Sequence, residues 1–245
     1  MAVVNGTAGN DLIHLLGDGV VLPPGYNDIP LATAFNDTLN GLGGNDIIHG
    51  GGGVDMLKGG TGNDTLFSDG SMASFDGGAD TDTVDFSGRE IPSYYHPSGV
   101  YVNLAFQVVD YNGQYYHDWD PKSTIVNVEN VAGTNDNDTL IGDSKNNVLT
   151  GSGGHDTLTG NLGADKFVFA SNNGAVNFGH DTITDFKAGE DHLQIDHAIF
   201  KDYGAVQQHM QQVGNDVVIT YDGNDTITLH DVAMANLHAS DFIFV

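Results

Sequence analysis

The stretch that decides the fold runs from residue 32 to residue 85 and, cut in nines, reads ATAFNDTLN, GLGGNDIIH, GGGGVDMLK, GGTGNDTLF, SDGSMASFD and GGADTDTVD. Five of the six nonapeptides have Asp at the sixth place, and the exception is Ala73. All six have an apolar eighth residue: Leu39, Ile48, Leu57, Leu66, Phe75 and Val84. A disordered Gly/Asp-rich linker has no reason to keep that period, so the stretch predicts a solenoid.

The shared pattern, Gly-Gly-x-Gly-x-Asp-x-apolar-x, resembles the RTX (hemolysin-type) calcium-binding repeat. The resemblance implies an all-β fold, a right-handed parallel β-roll or β-helix solenoid with a C-terminal cap, in which two nonapeptides form one coil. The residue types agree with it, because glycine permits the positive φ of tight turns and calcium prefers six to eight oxygen ligands. The last three residues of each nonapeptide are expected to form a short strand whose middle side chain points inward.

A second regular block follows from residue 133 to residue 168 and reads GTNDNDTLI, GDSKNNVLT, GSGGHDTLT and GNLGADKFV. Its eighth places are apolar throughout, and its sixth places hold Asp138, Asn147, Asp156 and Asp165. Asn147 offers only a neutral carbonyl oxygen, so a weaker site is expected there.

The resemblance implies several Ca²⁺ ions, each held between successive turns of one edge by sixth-place carboxylates and turn carbonyls. Asp37, Asp55 and Ala73 are expected along one edge, and Asp46, Asp64 and Asp82 along the other. The expected metal-site residues are Asp37, Gly41, Gly43, Asp46, Gly50, Gly52, Asp55, Gly59, Thr61, Asp64, Gly77, Ala79, Asp82, Gly133, Asn135, Asp138, Gly142, Ser144, Asn147, Gly151, Gly153, Asp156 and Asp165. In looser copies, ligation and structural turn capping both stay open for Asp11, Asp181, Asp191, Asp216 and Asp225.

The rest of the chain is expected to continue the same solenoid. The expected segments are a divergent coil and loop (1–31), the first repeat block (32–85), wider aromatic-rich rungs (86–132), the second block (133–194), and a cap with a secretion tail (195–245). Residues 203–213, YGAVQQHMQQV, predict a short amphipathic helix. The cap resembles the end of the RTX domain of serralysin-type secreted proteases, but no protease domain is present. The last residues, Asp241–Val245, resemble the tail of type I secretion substrates.

Composition limits the partners. The net charge is −26 with only seven Lys and Arg among 245 residues, which disfavours nucleic acid. Thirty of the 33 acidic residues are Asp, a bias that suits ligand-bearing turns. The chain has no cysteine, no stretch apolar enough to span a bilayer, and no cleavable signal peptide in its opening MAVVNGTAGND.

These features favour a secreted, extracellular calcium-binding protein that folds outside the cell, has a structural or interaction role, and uses type I secretion machinery. An alternative is a calcium-dependent polysaccharide-binding module, similar to those of alginate epimerases. Its sugar platform would be formed by Tyr94, Tyr95, Tyr101, Tyr111, Tyr115, Tyr116 and Trp119, which are also explained as a hydrophobic cover. No HExxH, Ser-His-Asp order or phosphate loop is visible, so no enzyme is expected.

Overall fold

The computed structural model describes residues 3–15, 21–32, 35–68, 73–87, 99–110, 123–171 and 176–245. These residues form mostly short strands. In chain order the strands are β1 (Val3–Asn5), β2 (Asp11–Leu15), β3 (Asn27–Ala32), β4 (Thr38–Gly43), β5 (Ile47–His49), β6 (Asp55–Thr61), β7 (Thr65–Phe67), β8 (Ala73–Ala79), β9 (Thr83–Asp85), β10 (Tyr101–Asn103), β11 (Val108–Asp110), β12 (Ser123–Val126), β13 (Asn130–Ala132), β14 (Thr139–Ile141), β15 (Val148–Thr150), β16 (Thr157–Thr159), β17 (Lys166–Phe169), β18 (His180–Ile183), β19 (His192–Ile195), β20 (Met210–Val213), β21 (Asp216–Thr220), β22 (Thr226–Leu229) and β23 (Phe242–Phe244).

The three-residue strands of the repeats bury only their middle residue. Ile48 in β5, Leu66 in β7 and Leu158 in β16 are each fully buried, whereas their strand neighbours are half-buried. Alternation along an extended chain turns the residues on either side away from the core. The eighth-place apolar residues therefore form the core, as the nonapeptide pattern predicts.

The chain divides into two compact units, the first made of residues 1–96 and 106–132. One sheet of this unit contains β1, β4, β6, β8 and β12 in parallel, with β11 antiparallel to β12. The other contains β3, β2, β5, β7, β9 and β13, all parallel. In this second sheet Ile48 pairs with Leu66 and Leu66 with Val84, a step of 18 residues that confirms two nonapeptides per coil.

One strand of the first unit does not occupy the position in its sheet that the order of the sequence would give it. β3 follows β2 in the chain but pairs with the side of β2 opposite to β5, so it adds a strand outside the first repeat. Its segment contains Pro30, and Pro23 and Pro24 precede it. The divergent part of residues 15–31 thus includes a strand of the sheet as well as a surface connection.

The second unit consists of residues 97–105 and 133–245. One of its sheets contains β10, β14, β16, β18 and β22 in parallel, followed by β21 and β20 in antiparallel order. The other contains β15, β17, β19 and β23, all parallel. Both units are rolls of stacked parallel strands, as the repeats predict.

The C-terminal segment closes the second unit. Helix α1 (Tyr203–Gln208) is capped by the side chain of Asp202, and two single 3₁₀ turns lie at Met234–Asn236 and Ala239–Asp241. The predicted helix over 203–213 is too long, because Met210–Val213 forms β20 in a hairpin with β21. Among the described residues, no helix has the length and apolar character needed to cross a membrane.

Candidate calcium sites

The sixth-place acids lie buried at the turns between strands, stacked one coil above another. In the first unit, the backbone N–H of each acid donates a hydrogen bond to the carboxylate of the next coil. These bonds measure 2.7 Å from Asp11 to Asp46, 2.7 Å from Asp46 to Asp64, 2.8 Å from Asp64 to Asp82, and 3.1 Å from Asp82 to Glu129. We call this series the Asp46 ladder.

The Asp46 ladder keeps its register across two interruptions of the repeat. Asp46, Asp64 and Asp82 are 18 residues apart, whereas Asp11 and Asp46 are separated by 35 residues and Asp82 and Glu129 by 47. The stacking of acids therefore continues on both sides of the regular block although the spacing changes.

The opposite edge of the first unit carries fewer acids. The N–H of Asp37 donates to the Oδ1 of Asp55 at 2.7 Å, and Asp55 pairs in register with Ala73. The next strand, β12, aligns Ile125 with Phe75, so that Ser123 follows Ala73 in the row. This places Asp37, Asp55 and Ala73 on one edge, as the sequence predicts, with no carboxylate at Ala73.

The second unit contains two further rows. On one edge, Val100 N–H donates to Asp138, Asp138 N–H to Asp156, and Asp156 N–H to Asp181, at 2.6, 2.8 and 2.9 Å. On the other, Asn147 N–H donates to Asp165 and Asp165 N–H to Asp191, at 2.8 and 2.9 Å. We call these the Asp138 and Asn147 ladders.

Of the five acids in looser copies, three belong to ladders, a fourth accepts backbone N–H groups in a similar way, and one does neither. Asp11, Asp181 and Asp191 are members of ladders, and Asp225 accepts the N–H groups of Phe178 and Gly179. Asp216 instead lies beside Asp231, whose N–H it accepts, in an exposed group with His230.

The first-place glycines make room for oxygen atoms. A β-carbon on Gly41 would collide with Oδ2 of Asp46 and with the carbonyl oxygen of Gly59, and the same holds on Gly59 for Asp64 and Gly77. First-place glycines next to the carboxylate or amide oxygen of their own repeat are Gly41, Gly50, Gly59, Gly77, Gly133, Gly142, Gly151 and Gly160. Each glycine therefore borders a small space lined by side-chain oxygen, and most of these spaces also contain a carbonyl oxygen of the adjacent coil.

The third-place residues align from coil to coil, but most of their side chains are exposed. Gly43 pairs with Thr61 and Thr61 with Ala79 in the extended strands β4, β6 and β8. Gly43 and Gly153 are buried and Gly52 is half-buried, whereas the side chains of Thr61, Ala79, Asn135 and Ser144 are exposed. The side-chain oxygens of Thr61 and Asn135 lie near the third-place glycine of the adjacent coil, at Gly43 and Gly153 respectively.

Four of the ladder carboxylates have a buried oxygen that accepts no hydrogen bond. These atoms are Oδ2 of Asp46, Asp64, Asp82 and Asp156. A buried carboxylate oxygen without a donor costs free energy unless a cation satisfies it. Hard oxygen atoms that converge in this way are the ligand set that calcium prefers. The residues present therefore fit a calcium ion.

Electrostatics at the turns also favour a cation. Burial raises the pKa of Asp46, Asp64 and Asp165 to about 6, and that of Asp82 and Asp138 to about 7. In the Asp138 ladder, burial and the neighbouring charge of Asp181 raise the pKa of Asp156 to about 9, and burial raises that of Asp181 to about 8. Stacked carboxylates are costly to ionise together, and a divalent ion between them offsets that cost.

Several residues of these sites escaped the sequence interpretation. Glu129 occupies a ladder position in an irregular coil, and the carbonyl oxygen of Asn127 lines the space beside Gly77. The only sequence signal for Glu129 is that Val128 and Val131 lie on either side of it, which resembles a compressed repeat. A second row also exists at fifth places, where the side chains of Asn10, Asn45 and Asn63 each accept the N–H of the next coil.

Comparison with known proteins agrees with this geometry. A family model described as the RTX calcium-binding nonapeptide repeat matches four copies, over residues 31–66, 132–167 and 213–231. A search of curated proteins found no match. Among solved structures, the extracellular lipase LipA from Serratia marcescens is similar over 99% of this chain and 40% of the lipase, with 15% identity and a TM-score of 0.34. The family match shows that the chain contains RTX calcium-binding nonapeptide repeats over these residues, and repeats of this type bind calcium ions.

Proposed function

We propose that the chain is a secreted protein whose rolls fold when their turns bind extracellular calcium, and that the folded rolls have a structural or interaction role. The observation that carries the proposal is the set of four buried carboxylate oxygens without a hydrogen-bond donor, at Asp46, Asp64, Asp82 and Asp156. Each is a group that the fold buries at a cost and that calcium would satisfy.

The charge balance explains why folding would depend on the ion. The chain carries 33 acids against seven lysines and arginines, and the ladders place acid against acid in successive coils. The lysine ion pairs shown among the described residues, Lys187–Glu190 and Lys201–Asp202, lie outside the ladders. Repulsion between acids disfavours the compact state until cations neutralise it. Because the site does not exist in the unfolded chain, the binding free energy becomes folding free energy.

Calcium concentration would then separate export from folding. Extracellular calcium modules have a Kd of about 10⁻⁴–10⁻³ M, far above the calcium available in a cytosol. The chain would stay extended before export and order itself outside the cell. Export by type I machinery rests on the resemblance of the tail Asp241–Val245 to secretion substrates.

The structure adds a constraint on that export hypothesis. Asp241 is buried and accepts the N–H groups of Gly189 and His238, and β23 pairs with β19. A transporter that reads this tail must therefore do so before the C-terminal roll forms. Calcium-dependent folding would keep the tail available at that stage.

The test is circular dichroism of the whole chain in chelator, then in calcium, with magnesium at the same concentration as the control. We expect little β-structure in chelator, a cooperative gain in calcium, and a weaker response to magnesium, which demands a smaller and more regular shell. Equal β-structure in chelator and in calcium at neutral pH would contradict calcium-dependent folding.

The polysaccharide-binding alternative stays a prediction. Of its seven aromatic residues, only Tyr101 lies in a described range; Tyr94, Tyr95, Tyr111, Tyr115, Tyr116 and Trp119 lie outside the described residues. Tyr101 is half-buried, and its hydroxyl accepts a hydrogen bond from Asn103. A glycan array with and without calcium tests this alternative. We further propose that the chain has no catalytic activity of its own, in line with the repeat family.

A further inference from the structure

The turns of the ladders fall into two classes, distinguished by the backbone of the second residue of the repeat. In one class, which we call open turns, that residue is left-handed. Its φ is 78° at Leu42, 72° at Gly51, 119° at Gly60, 110° at Gly78, 78° at Ser152 and 69° at Asn161. Four of these six residues, Leu42, Gly60, Gly78 and Ser152, belong to the repeats of Asp46, Asp64, Asp82 and Asp156, the acids whose Oδ2 is buried and accepts no hydrogen bond. The other two belong to the repeats of Asp55 and Asp165.

In the other class, the closed turns, the second residue is not left-handed and its N–H donates to the sixth-place side chain four residues on. The bond runs from Thr7 to Asp11 at 2.5 Å, from Thr134 to Asp138 at 2.6 Å, from Asp143 to Asn147 at 2.8 Å, and from Lys187 to Asp191 at 2.7 Å. The backbone itself satisfies the oxygen that is left without a donor in the open turns.

Threonine strengthens two of the closed turns. The hydroxyl of Thr134 donates to Oδ1 of Asp138 at 3.0 Å, and Val100 N–H donates to the same oxygen at 2.6 Å. In the first repeat, Asp11 accepts the hydroxyl of Thr7 at 3.1 Å and the amide of Asn27 at 2.7 Å. A β-branched residue such as threonine is strongly disfavoured in the left-handed region, whereas glycine enters it freely. The residue type thus helps to select the class of turn.

Resting on the calcium function proposed above, we infer that calcium binds through the sixth-place carboxylates of the open turns only, and that the closed turns fold without an ion of their own. At Asp138 both carboxylate oxygens already accept hydrogen bonds, and a cation would have to compete with those bonds, each worth about 1.5–3 kcal/mol to a charged group. The second residue of a repeat therefore determines whether its carboxylate is a ligand.

This inference narrows the set of ligands that the repeat pattern predicts. It removes Asp138 and Asn147 as side-chain ligands, although both occupy the sixth place of a regular repeat. It retains Asp156, which lies one coil beyond Asp138 on the same ladder. The two aspartates are a matched pair, because both are buried and each accepts a backbone N–H from the preceding coil.

The experiment compares Asp138→Asn with Asp156→Asn in the full chain, with bound calcium counted by equilibrium dialysis with metal analysis. Asparagine keeps one acceptor oxygen, and Asn147, whose Oδ1 accepts the N–H of Asp143, shows that the fold accommodates an amide at this place. We expect Asp156→Asn to lose at least one bound ion and Asp138→Asn to keep the wild-type number. Equal losses in the two variants would overturn the inference.

A second pair decides the matter if Asp138→Asn does not fold. Thr134→Gly removes the hydroxyl donor and permits the left-handed conformation, so we expect it to bind one more calcium ion than the wild type. Thr134→Ser keeps the hydroxyl and should bind the wild-type number. Identical numbers in both variants would contradict the inference. A wild-type chain that binds no calcium would instead refute the proposed function, which keeps the two failures distinct.

Discussion

Asp64 is the residue whose loss should most weaken the response of the first unit to calcium. Its Oδ1 accepts the N–H of Asp46 at 2.7 Å, its own N–H donates to Asp82 at 2.8 Å, and its Oδ2 has no donor. It lies between two other open turns of one ladder, so the substitution Asp64→Ala removes a charged ligand from the spaces on both sides.

The magnitude depends on calcium. Apart from calcium binding, the variant leaves the buried N–H of Asp46 without its acceptor in the folded state, which costs about 1–3 kcal/mol. Part of that cost is offset, because burial raises the pKa of Asp64 to about 6 and alanine removes the buried acid. In calcium at about a hundred times Kd, each occupied site stabilises the fold by about 2.7 kcal/mol, so the loss of two sites costs about 5 kcal/mol more.

The assay follows the folding of wild type, Asp64→Ala and Asp37→Ala by circular dichroism in a calcium titration that starts in chelator, and then by urea unfolding in saturating calcium. Asp37 is the matched control, because it is buried at a turn of the opposite edge, where Asp55 is followed by Ala73. Its loss should remove about half as much calcium-dependent stabilisation as Asp64→Ala. An equal calcium-dependent loss in the two variants would mean that Asp64 does not serve two sites.

Three further predictions follow from the described contacts. In calcium-free buffer, the free energy of unfolding should fall as pH rises from about 4 to about 9. The reason is that Asp82, Asp138 and Asp156 have folded-state pKa values of about 7, 7 and 9 against an ordinary 3.8, so the folded state holds protons that the unfolded state has released. The calcium affinity should change in the opposite sense and weaken as pH falls. Circular dichroism in calcium-free buffer tests the first trend and calorimetric calcium titration tests the second, each at pH 5 and pH 8. Leu42→Gly should stabilise the fold by about 0.5–1 kcal/mol. The exposed leucine at φ 78° bears a left-handed strain of about 1–2 kcal/mol, which exceeds the entropy that a more flexible glycine loses on folding. A lower melting temperature of the variant in calcium would argue against this prediction. Phe242→Ala should destabilise the fold by about 3 kcal/mol, because Phe242 is buried and pairs with Leu193; an unchanged melting temperature would show that β23 does not cover the core.

Much of the fold, and the positions of the sixth-place acids in the regular blocks, follow from the nonapeptide pattern. A period of nine with an apolar residue at the eighth place can bury its core only by coiling, and two nonapeptides per coil put sixth-place acids 18 residues apart on one edge. The stacking of Asp46, Asp64 and Asp82, and the gap at Ala73, follow from this period together with the two nonapeptides per coil that the resemblance to the RTX repeat implies. These features are local, because each repeat contacts mainly its neighbours.

The tertiary structure decided which irregular segments join the ladders. Asp11 meets Asp46 across 35 residues and Asp82 meets Glu129 across 47. Additional residues between two coils can leave the register of the coils unchanged, so no fixed spacing in the sequence identifies these partners. For the same reason, the strand order that brings β3 outside β2 is not visible in the chain order.

The tertiary structure also decided which acids are left with an unsatisfied oxygen. Asp138 and Asp156 occupy the same place in the nonapeptide, yet Thr134 closes the first and the left-handed Ser152 opens the second. Neither Leu42 nor Ser152 is a residue type that favours positive φ, so the residue type alone does not set the sign of φ there. The sequence alone therefore determines where the carboxylates stand, and the contacts between coils determine what each one binds.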